Sequence, residues 1–540
     1  SVFINKPAII ASLVVLLLSG CQNKEKQEEK TITILQTADI HAYLNPHTEL
    51  FVENDNIVYR ETGGLAHIKT LTDSIRGLNP DGTILVDGGD LFQGSGESVH
   101  SRGKIFPPIV RAMNYDLLIP GNWEVVYGKQ TMLELMNDYN TRVIAANMFD
   151  EETGDALFPP YWVTELKGLK IGFIAYNDPE IPIRQNPTYS EGILFTPVEE
   201  NLKELITHLK TEEEVDVLIL IAHIGISKQV MLANNPKVEG VDFIFGNDTH
   251  ERIRKPIEGK YAKVVEPGAF SSFVGKLDLK VRNNKIIDYN YELIEVSPEK
   301  YKADNRVQQL IDEATAPYQG EMQAVLGYTT APLYRYLVVE NPMDNLITDA
   351  IRWKTGVDFA TSNGFRFGVP IVPDSNGKAP VTKADLWRML PVDEHIKIGK
   401  VSGRQINDWL EKEINNVFAA NYEERFGGWL VRFSGLTISF DTSKELGSRI
   451  ESITIQGQPL KLDKMYTMAS CNRTGEPRST MCRMQNAADV SLQEYTMHEA
   501  VEAYLKAKGT VHPTLDGRAV AIDLGPMAFS QMKEGGYQFR

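Results

Sequence analysis

Acidic, amide and imidazole side chains recur in the first 250 residues, each at the end of a short apolar run. They are Asp39 and His41 in TADIHAY, Asp90 in DGGD, Asn122 in PGNWE, His223 in IAHIG, and Asp248 and His250 in GNDTH. Open α/β sheets place their sites at the carboxyl ends of the strands, so we expect these side chains to lie together. As a set they are sufficient to hold two divalent ions with a shared carboxylate, an arrangement used for in-line displacement at phosphorus.

The runs before these side chains have the composition of buried strands. TITILQTAD, GTILVDGGD, YDLLIPGN, VDVLILIAHIG and VDFIFGND are apolar, whereas LAHIKTLTDSIR and VEENLKELITHLKT between them have helical spacing. Strands that alternate with helices favour an α/β domain, which we place at residues 31–300. Residues 301–324 have the pattern of one polar connecting helix, and residues 325–540 of a second α/β unit.

The composition is that of a globular protein with more than one core. The chain has 540 residues, of which 42% are hydrophobic and 24% are charged, and this length favours two domains. The net charge of −16 argues against a nucleic-acid-binding protein, which usually has a basic face. It does not exclude a small anionic substrate, because the local charge of a site can oppose the net charge. We expect a monomer.

The N-terminus has the pattern of an export signal. Lys6 precedes AIIASLVVLLLSG, an apolar run that ends at Gly20 and is too short for a comfortable membrane span. LLSGC resembles a bacterial lipobox, which predicts a signal peptide at residues 1–20 and a lipid on Cys21; a plain signal peptide cut nearby is the alternative. Residues 21–30 form a charged tether. The predicted location is the cell envelope, where the lipid would anchor the protein at the outer membrane or in the periplasm.

Two further cysteines flank the polar loop CNRTGEPRSTMC. Cys471 and Cys482 are 11 positions apart, and in an oxidising compartment this spacing predicts a loop-closing disulfide. Two unrelated thiols are the alternative.

The motifs together resemble those of the calcineurin-like metallophosphoesterases and, over nearly the whole mature chain, of the two-domain bacterial 5′-nucleotidases. The family pattern is D-x-H, G-D, G-N-H-E, a later H and G-H-x-H, then N-G-G-G-I-R in the second domain. The resemblance implies a four-layer α/β/β/α domain joined by a helix to an α/β substrate domain. It also implies that one ion is held by Asp39, His41, Asp90 and His250, and the other by Asp90, Asn122, His223 and Asp248, with Asp90 as the bridge.

The second domain supplies the substrate contacts that the resemblance implies. Arg366 in SNGFRFG matches the anion-binding arginine of the family, and a bidentate guanidinium suits a phosphoryl or sulfonyl group. The other expected pocket residues are Asn363, Phe365, Phe367 and Trp429. The aromatic side chains among them are explained equally well as core residues.

Three departures from the family pattern bear on the chemistry. The histidine that stabilises transition-state charge or protonates the leaving group, and the aspartate that orients it, are replaced by Trp123 and Val126. Asp248 stands at the first histidine of G-H-x-H, and a carboxylate there favours Mn²⁺ over Zn²⁺. The two aromatic residues that clamp a nucleotide base are missing, since Val392 occupies one position and SCNRTGEP has no aromatic residue.

Some of these motifs resemble the thiosulfohydrolase branch of the same superfamily, which cleaves a cysteine S-sulfonate. The similar stretches are GNWEVVYG, DGGDLFQGSG, NPTY, SNGFRFG and NYEERFGGWLVR. That branch also has a tryptophan at the position of Trp123, but Asp248 departs from its pattern. A general acid contributes about 10²- to 10⁴-fold in rate when the leaving group is poor. A thiolate, whose parent thiol has a pKa of about 8.5, leaves without that help. The replacement therefore predicts a substrate with a good leaving group.

Three functions remain open at this point. The first is a dinuclear-metal hydrolase of nucleotide-like phosphate substrates, and the second is a hydrolase of S-sulfonate or sulfate substrates. The third is a catalytically silent lipoprotein that binds a ligand between its domains. The catalytic candidates are Asn122, Trp123 and Glu124, with Glu124 as the alternative proton source. The expected cofactors are two Mn²⁺ ions, with Zn²⁺ as the alternative, and the expected partner is a small anion or an S-sulfonated carrier.

Overall fold

The computed structural model describes residues 28–532 and Phe539. The predicted signal peptide and most of the tether, including Cys21, lie outside the described residues. Within those residues, no helix combines the length and the apolar character that a membrane crossing requires.

Two six-stranded sheets form the centre of the first domain within residues 28–532. The first sheet contains, in spatial order, Lys285–Glu295, Phe273–Arg282, Lys30–Thr37, Thr83–Asp87, Leu117–Leu118 and Arg142–Val143. The second contains Ile257–Glu258, Lys263–Val265, Phe243–Gly246, Val217–His223, Leu169–Asn177 and Tyr161–Leu166. The strands that carry the predicted ligands run parallel to one another within each sheet.

The two sheets pack face to face through a shared apolar core. Ile34 and Val86 of the first sheet belong to the same buried cluster as Ile171, Ile219 and Phe245 of the second. Helices cover the opposite face of each sheet, so the central strands are apolar along their whole length. The order helix, sheet, sheet, helix confirms the predicted four-layer domain.

Helices and short elements complete the first domain. The first sheet is covered by Leu65–Leu78, Phe106–Met113, Lys129–Asp138 and Asn305–Thr315, and the second by Val198–Thr211 and Ile226–Ala233. The smaller elements are the hairpin His47–Glu53 with Asn56–Thr62, the strand pair Met148–Asp150 with Ile193–Phe195, the helices Gly96–Ser101 and Ile181–Arg184, and the 3₁₀ turns Pro187–Ser190 and Pro236–Val238.

The connector is shorter than the sequence pattern predicts. Its helix spans Asn305–Thr315 and is followed by the 3₁₀ turn Ala316–Tyr318 and the short helix Gln319–Met322. Pro317 has no amide hydrogen to continue the helical hydrogen bonds, which explains the break. Val307 and Ile311 are buried in the core beside the first sheet, so this helix packs as part of the first domain.

The second domain is also α/β and is built around three sheets within the described residues. They contain, in spatial order, Arg432–Ser434, Phe359–Ser362, Met465–Cys471, His395–Ser402 and Ala488–Thr496; Gln458–Pro459, Ile450–Ile455, Leu436–Phe440 and Ala519–Ala521; and Ala379–Thr382, Val325–Thr329 and Thr510–Val511. Its helices are Pro342–Thr355, Lys383–Met389, Gly403–Phe418 and Met497–Lys508, with a 3₁₀ turn at Tyr422–Glu424.

Hydrogen bonds across the domain boundary hold the second domain over the carboxyl ends of the first-domain strands. Gln93 Nε2 donates to Pro391 O at 2.8 Å. Tyr336 Oη donates to Glu49 Oε1 at 2.7 Å. The cleft between the domains therefore opens over the predicted ligands.

Candidate active site

The loops after the central strands bring the predicted ligands together in the floor of the cleft. All seven are buried: Asp39, His41, Asp90, Asn122, His223, Asp248 and His250. Five of them have a left-handed backbone, with φ of 50° at Asp39, 48° at His41, 57° at Asp90, 86° at Asp248 and 61° at His250. This conformation is uncommon outside glycine and costs about 1–3 kcal/mol per residue. Such strain is typical of functional sites, where the surrounding structure fixes the side chains in place.

A first group of ligand atoms is formed by Asp39, His41 and His250. The two imidazole Nε2 atoms lie 3.1 Å apart, and Asp39 Oδ1 lies 3.8 Å from each. Among the described residues, Asp39 Oδ1 is buried and has no hydrogen-bond partner. A buried acceptor of this kind is costly unless it is satisfied, and a cation shared with the two imidazoles satisfies it. His41 Nδ1 lies 2.8 Å from Gln93 O, which orients its Nε2 towards the group.

A second group surrounds His223. Its Nε2 lies 3.1 Å from Asp90 Oδ2 and 2.9 Å from the inward atom of the Asn122 amide. The same amide atom lies 3.0 Å from Asp90 Oδ2 and 3.1 Å from Asp248 Oδ1. When that atom is the oxygen, acceptors converge on one point, and a cation or a proton on His223 satisfies them. When it is the nitrogen, it donates to both carboxylates. His223 Nδ1 lies 2.7 Å from Gly88 O. A hydrogen bond to a backbone carbonyl is a usual way of orienting the ring of a metal-ligating histidine.

Two carboxylates reach both groups. Asp90 Oδ2, the predicted bridge, lies 3.7 Å from His41 Nε2 as well as 3.1 Å from His223 Nε2. Asp39 Oδ1 lies 3.7 Å from His223 Nε2 and belongs to both candidate metal-binding groups. The residues present therefore fit two adjacent divalent ions, with Asp39 close to both sites beside Asp90.

The titration of the cluster follows from its burial. Burial raises the pKa of Asp39 well above its ordinary value and that of Asp248 to about 6. Burial lowers the pKa of His250 well below its ordinary value. Burial also acts to lower the pKa of His223, but the attraction of Asp90 and its neighbouring carboxylates outweighs it and raises that pKa. The cluster therefore shares protons when no cation is bound, and metal binding releases them.

Glu124 does not line the cleft, contrary to its expected role as an alternative proton donor. Its carboxylate accepts hydrogen bonds from Asp90 N at 2.9 Å and Leu91 N at 2.8 Å. It also accepts one from Gly121 N. Burial raises its pKa to about 8. Backbone amides of two ligand-bearing loops already bond the Glu124 carboxylate, so its geometry is that of a residue that positions those loops.

Trp123 forms part of an aromatic wall that crosses the domain boundary. Its ring meets Phe367 edge-on at 5.6 Å and Phe365 at 6.5 Å between centroids. Phe367 also lies 4.7 Å from the His41 ring, and Trp429 lies 6.2 Å from that of His250. These aromatic side chains line the cleft while packing on one another, so both roles expected from the sequence apply.

Arg366 lies in the wall of the cleft with most of its guanidinium already bonded. Nη1 donates to Thr249 O and Nη2 to Tyr336 O, both at 3.1 Å. Nε is buried and has no hydrogen-bond partner among the described residues. Asn363 also lines the cleft, and its Oδ1 accepts from Arg483 Nη1 at 2.7 Å.

Several cleft residues were not identified from the sequence. They are Arg184, Gln185, Asn186, Tyr189, Glu394 and Arg473. Gln185 Nε2 donates to Asn122 O at 2.7 Å, and Asn186 Nδ2 donates to Glu394 Oε1 at 2.7 Å. The available signal was the polar run RQN, which follows the buried strand Leu169–Asn177 of the second sheet.

Val392 and Asn472, from the two segments where a base clamp was expected to be missing, line the cleft together with Glu394 and Arg473. Arg473 Nη2 donates to Ile183 O at 3.0 Å and so ties this loop to the first domain.

The predicted disulfide is wrong, because Cys471 and Cys482 are free thiols in the structure. Cys471 ends a strand and lines the cleft. Cys482 has a left-handed backbone, with φ of 47°, and turns into the core beside Met481. Its Sγ lies 3.6 Å from Asn363 Oδ1, and burial raises its pKa to about 12. The loop between the cysteines thus follows the core instead of closing on itself.

Comparison with known proteins agrees with this architecture. Residues 32–257 match the family model described as calcineurin-like phosphoesterase, and residues 325–473 match the one described as 5′-nucleotidase, C-terminal domain. A 5′-nucleotidase from Vibrio cholerae is 26% identical over 520 residues, which cover 87% of this chain and 89% of the relative.

Two solved structures from Thermus thermophilus share the fold. The sulfate thiohydrolase SoxB has a TM-score of 0.82 at 20% identity, covering 92% of this chain and 97% of that one. A 5′-nucleotidase precursor has a TM-score of 0.78 at 22% identity, covering 92% of this chain and all of that one. With both domain models matched in order and the ligand cluster at their cleft, the chain belongs to the two-domain 5′-nucleotidase family of calcineurin-like metallophosphoesterases and is a metal-dependent hydrolase of ester bonds.

Proposed function

We propose that the protein hydrolyses phosphate-containing substrates whose leaving group departs without a proton, with two divalent ions, Mn²⁺ in preference to Zn²⁺. The observation that carries this proposal is Trp123, which occupies the position of the family's catalytic histidine and packs against Phe365 and Phe367. Glu124, the alternative acid expected from the sequence, is held by backbone amides instead of facing the cleft. The substrates that fit are phosphoanhydrides and esters of acidic alcohols.

The chain's own residues divide the remaining work. When bound, the two ions would polarise the ester and supply a nucleophilic hydroxide. Arg366 lines the cleft and would supply positive charge to a nonbridging oxygen, and the wall of Trp123, Phe365 and Phe367 excludes water from the reacting group. Val392 and Asn472 offer no stacking surface, so a nucleoside part of a substrate contributes little binding. Nucleoside monophosphates are therefore expected to be poor substrates.

A second candidate function is the hydrolysis of S-sulfonates or sulfates. It is favoured by the same tryptophan, because a thiolate is a better leaving group than an alkoxide and needs no acid. Glu394 and Arg473, which line the cleft, suit a charged leaving group on a small molecule or on a carrier.

The expected site of action is the cell envelope. LLSGC supports a lipid on Cys21, and residues 21–30 would then act as a tether of about ten residues between the lipid and the first strand. Metabolic labelling with a fatty acid, compared between the unmodified protein and Cys21→Ser, tests the anchor: label retained by the variant would exclude attachment at this cysteine.

A substrate panel tests the proposed activity. Metal-free protein would be loaded with Mn²⁺ or Zn²⁺ and assayed on an aryl phosphate, a nucleoside diphosphate, AMP, an aryl sulfate and an S-sulfonate of cysteine. We expect kcat/KM for the aryl phosphate or diphosphate to exceed that for AMP by at least 100-fold, the lower range of a general-acid contribution. Fastest turnover of the S-sulfonate would establish the second candidate, and fastest turnover of AMP would contradict both. Asp90→Asn serves as the negative control; a panel without turnover would indicate a silent binding protein.

A further inference from the structure

Among the predicted ligands, all of which lie in the described part of the chain, Asp248 alone is paired with an arginine. Arg184 Nη2 lies 3.7 Å from Asp248 Oδ2. The other two carboxylate ligands, Asp39 and Asp90, have only imidazole partners in their ion pairs. Asp248 is also the ligand that departs from the family pattern, in which this position is a histidine. The unusual ligand and the unusual partner thus occur together.

Arg184 is held in place by a second carboxylate. It is the last residue of the helix Ile181–Arg184, and its Nη1 donates to Asp178 Oδ2 at 2.5 Å. Asp178 is fixed in turn, because its Oδ1 accepts from Glu180 N at 2.8 Å. The guanidinium also lies 5.9 Å from the ring of Phe426 in the second domain. Arg184 is therefore positioned from the side opposite the cluster and directed at Asp248.

The two oxygens of Asp248 face different partners. Oδ1 lies 3.9 Å from His223 Nε2 and 3.1 Å from the inward amide atom of Asn122, so it faces the second ligand group. Oδ2 faces Arg184. The pairing leaves one oxygen for an ion and withholds the other.

The charge of the site explains the need for a partner. Replacing a neutral histidine by Asp248 adds one negative charge to a cluster that already contains Asp39 and Asp90. Burial makes an uncompensated carboxylate costly. Arg184 adds one positive charge next to the added negative one, which restores the net charge that the family's histidine gives.

We infer that Arg184 is a positioning residue for the second metal site, which pairs with Asp248 Oδ2, leaves Oδ1 as a single ligand atom and offsets the charge that Asp248 adds. The inference rests on the dinuclear site of the proposed function, but not on whether the substrate is a phosphate or an S-sulfonate. Because it concerns ion binding, its test does not require turnover.

A double-mutant cycle in Mn²⁺ affinity provides the test. The full chain, Arg184→Gln, Asp248→His and the double variant would be freed of metal and titrated with Mn²⁺ by calorimetry. Arg184→Gln should tighten Mn²⁺ binding about tenfold because a nearby positive charge is removed, and Asp248→His should weaken it by about the same factor. The double variant should return to within about threefold of the unmodified protein. Thermal unfolding with and without Mn²⁺ should show the same ordering of metal-induced shifts.

Two further variants separate charge pairing from a general structural role. Arg184→Lys keeps the charge and should retain the Mn²⁺ affinity of the unmodified protein. Arg76→Gln removes a guanidinium that is paired with Asp116 away from the cleft and should leave Mn²⁺ affinity unchanged. An unchanged Mn²⁺ affinity in Arg184→Gln, or a double variant that binds Mn²⁺ as weakly as Asp248→His, would overturn the inference. If Arg184→Gln does not fold, the comparison of the double variant with Asp248→His decides, because the double variant should bind Mn²⁺ about tenfold more tightly than Asp248→His.

Discussion

The cleft has a metal side, which carries the predicted metal ligands, and a leaving-group side, which would face the leaving group of a substrate. The two sides follow the family pattern to different degrees. On the metal side, the strand-end loops supply a set of ligands in which Asp248 is the one departure. On the leaving-group side, Trp123, Val392 and the stretch SCNRTGEP, which has no aromatic residue, stand where the family has an acid and two stacking residues. This difference is the basis of our proposal that the hydrolase keeps the ion-binding residues of its family while the demand on its leaving group has changed.

Loss of the shared carboxylate should have the largest effect on activity. Asp90 Oδ2 reaches both ligand groups and its Oδ1 accepts from Trp123 N at 2.8 Å, so Asp90→Ala removes a ligand from both ions. We expect kcat/KM to fall by at least about 10³-fold, and metal analysis to find fewer than two ions per chain. Asp116→Ala, which removes a carboxylate paired with Arg76 away from the cleft, is the matched control. Retention of both ions in Asp90→Ala would contradict the assignment of this side.

The buried contacts behind the metal side should make stability depend on pH. Burial opposes ionisation of Glu49, but Arg252 and His47 outweigh it and lower its pKa from 4.5 to about 2. A lowered carboxyl pKa contributes stability that is present above pH 4.5 and is lost as the pH falls towards 2, by roughly 3 kcal/mol in all. Thermal midpoints of metal-free protein between pH 7 and 3 should therefore fall more steeply for the unmodified chain than for Glu49→Gln. Parallel curves would show that Glu49 is not the responsible group.

Glu124→Gln should reduce activity by about 10- to 100-fold, as expected when a residue that supports metal ligands is changed. The variant replaces one acceptor oxygen by a donor in front of backbone amides. Because Glu124 supports ligands, the loss should appear as weaker Mn²⁺ binding, with an unchanged dependence of rate on leaving-group pKa. A changed dependence with normal Mn²⁺ affinity would instead identify Glu124 as the proton donor.

Restoring aromatic residues on the leaving-group side should have a smaller effect than the losses above, and it should improve substrate binding. Val392→Phe with Asn472→Phe places two rings in the cleft, and stacking on a base contributes about 1–3 kcal/mol. We expect KM for a nucleoside diphosphate to fall about tenfold, while KM for an aryl phosphate changes less than threefold. Val392→Leu with Asn472→Leu controls for added bulk; an equal gain from leucine would exclude stacking.

Much of the metal side was predictable because its information is local. A buried strand followed by Asp, Asn or His places a polar group at a known sheet edge, which was sufficient for Asp39 or His223. The fold followed from the same alternation of strands and helices. The partner of Asp248 was not predictable, since Arg184 meets it across 64 positions of sequence through a loop whose path the pattern does not specify.

The other differences have the same origin in tertiary packing. The spacing of Cys471 and Cys482 permitted a disulfide, but the turn at Cys482 directs its side chain into the core. The connector had helical periodicity throughout, and Pro317 was the local signal for its break. Glu124 was correctly placed near the site, but which way its carboxylate faces depends on amides contributed by two loops.

The dependence of rate on leaving-group pKa tests the central claim most directly. For aryl phosphates of graded phenol pKa, log kcat/KM of the unmodified protein should fall steeply, because no acid neutralises the departing oxygen. Trp123→His with Val126→Asp should flatten the slope, since Val126 follows Trp123 in the same turn, its N donating to Trp123 O at 3.1 Å. Val126→Asp alone is the control and should keep the steep slope. A flat slope in the unmodified protein, with fast hydrolysis of AMP, would show that another group supplies the proton.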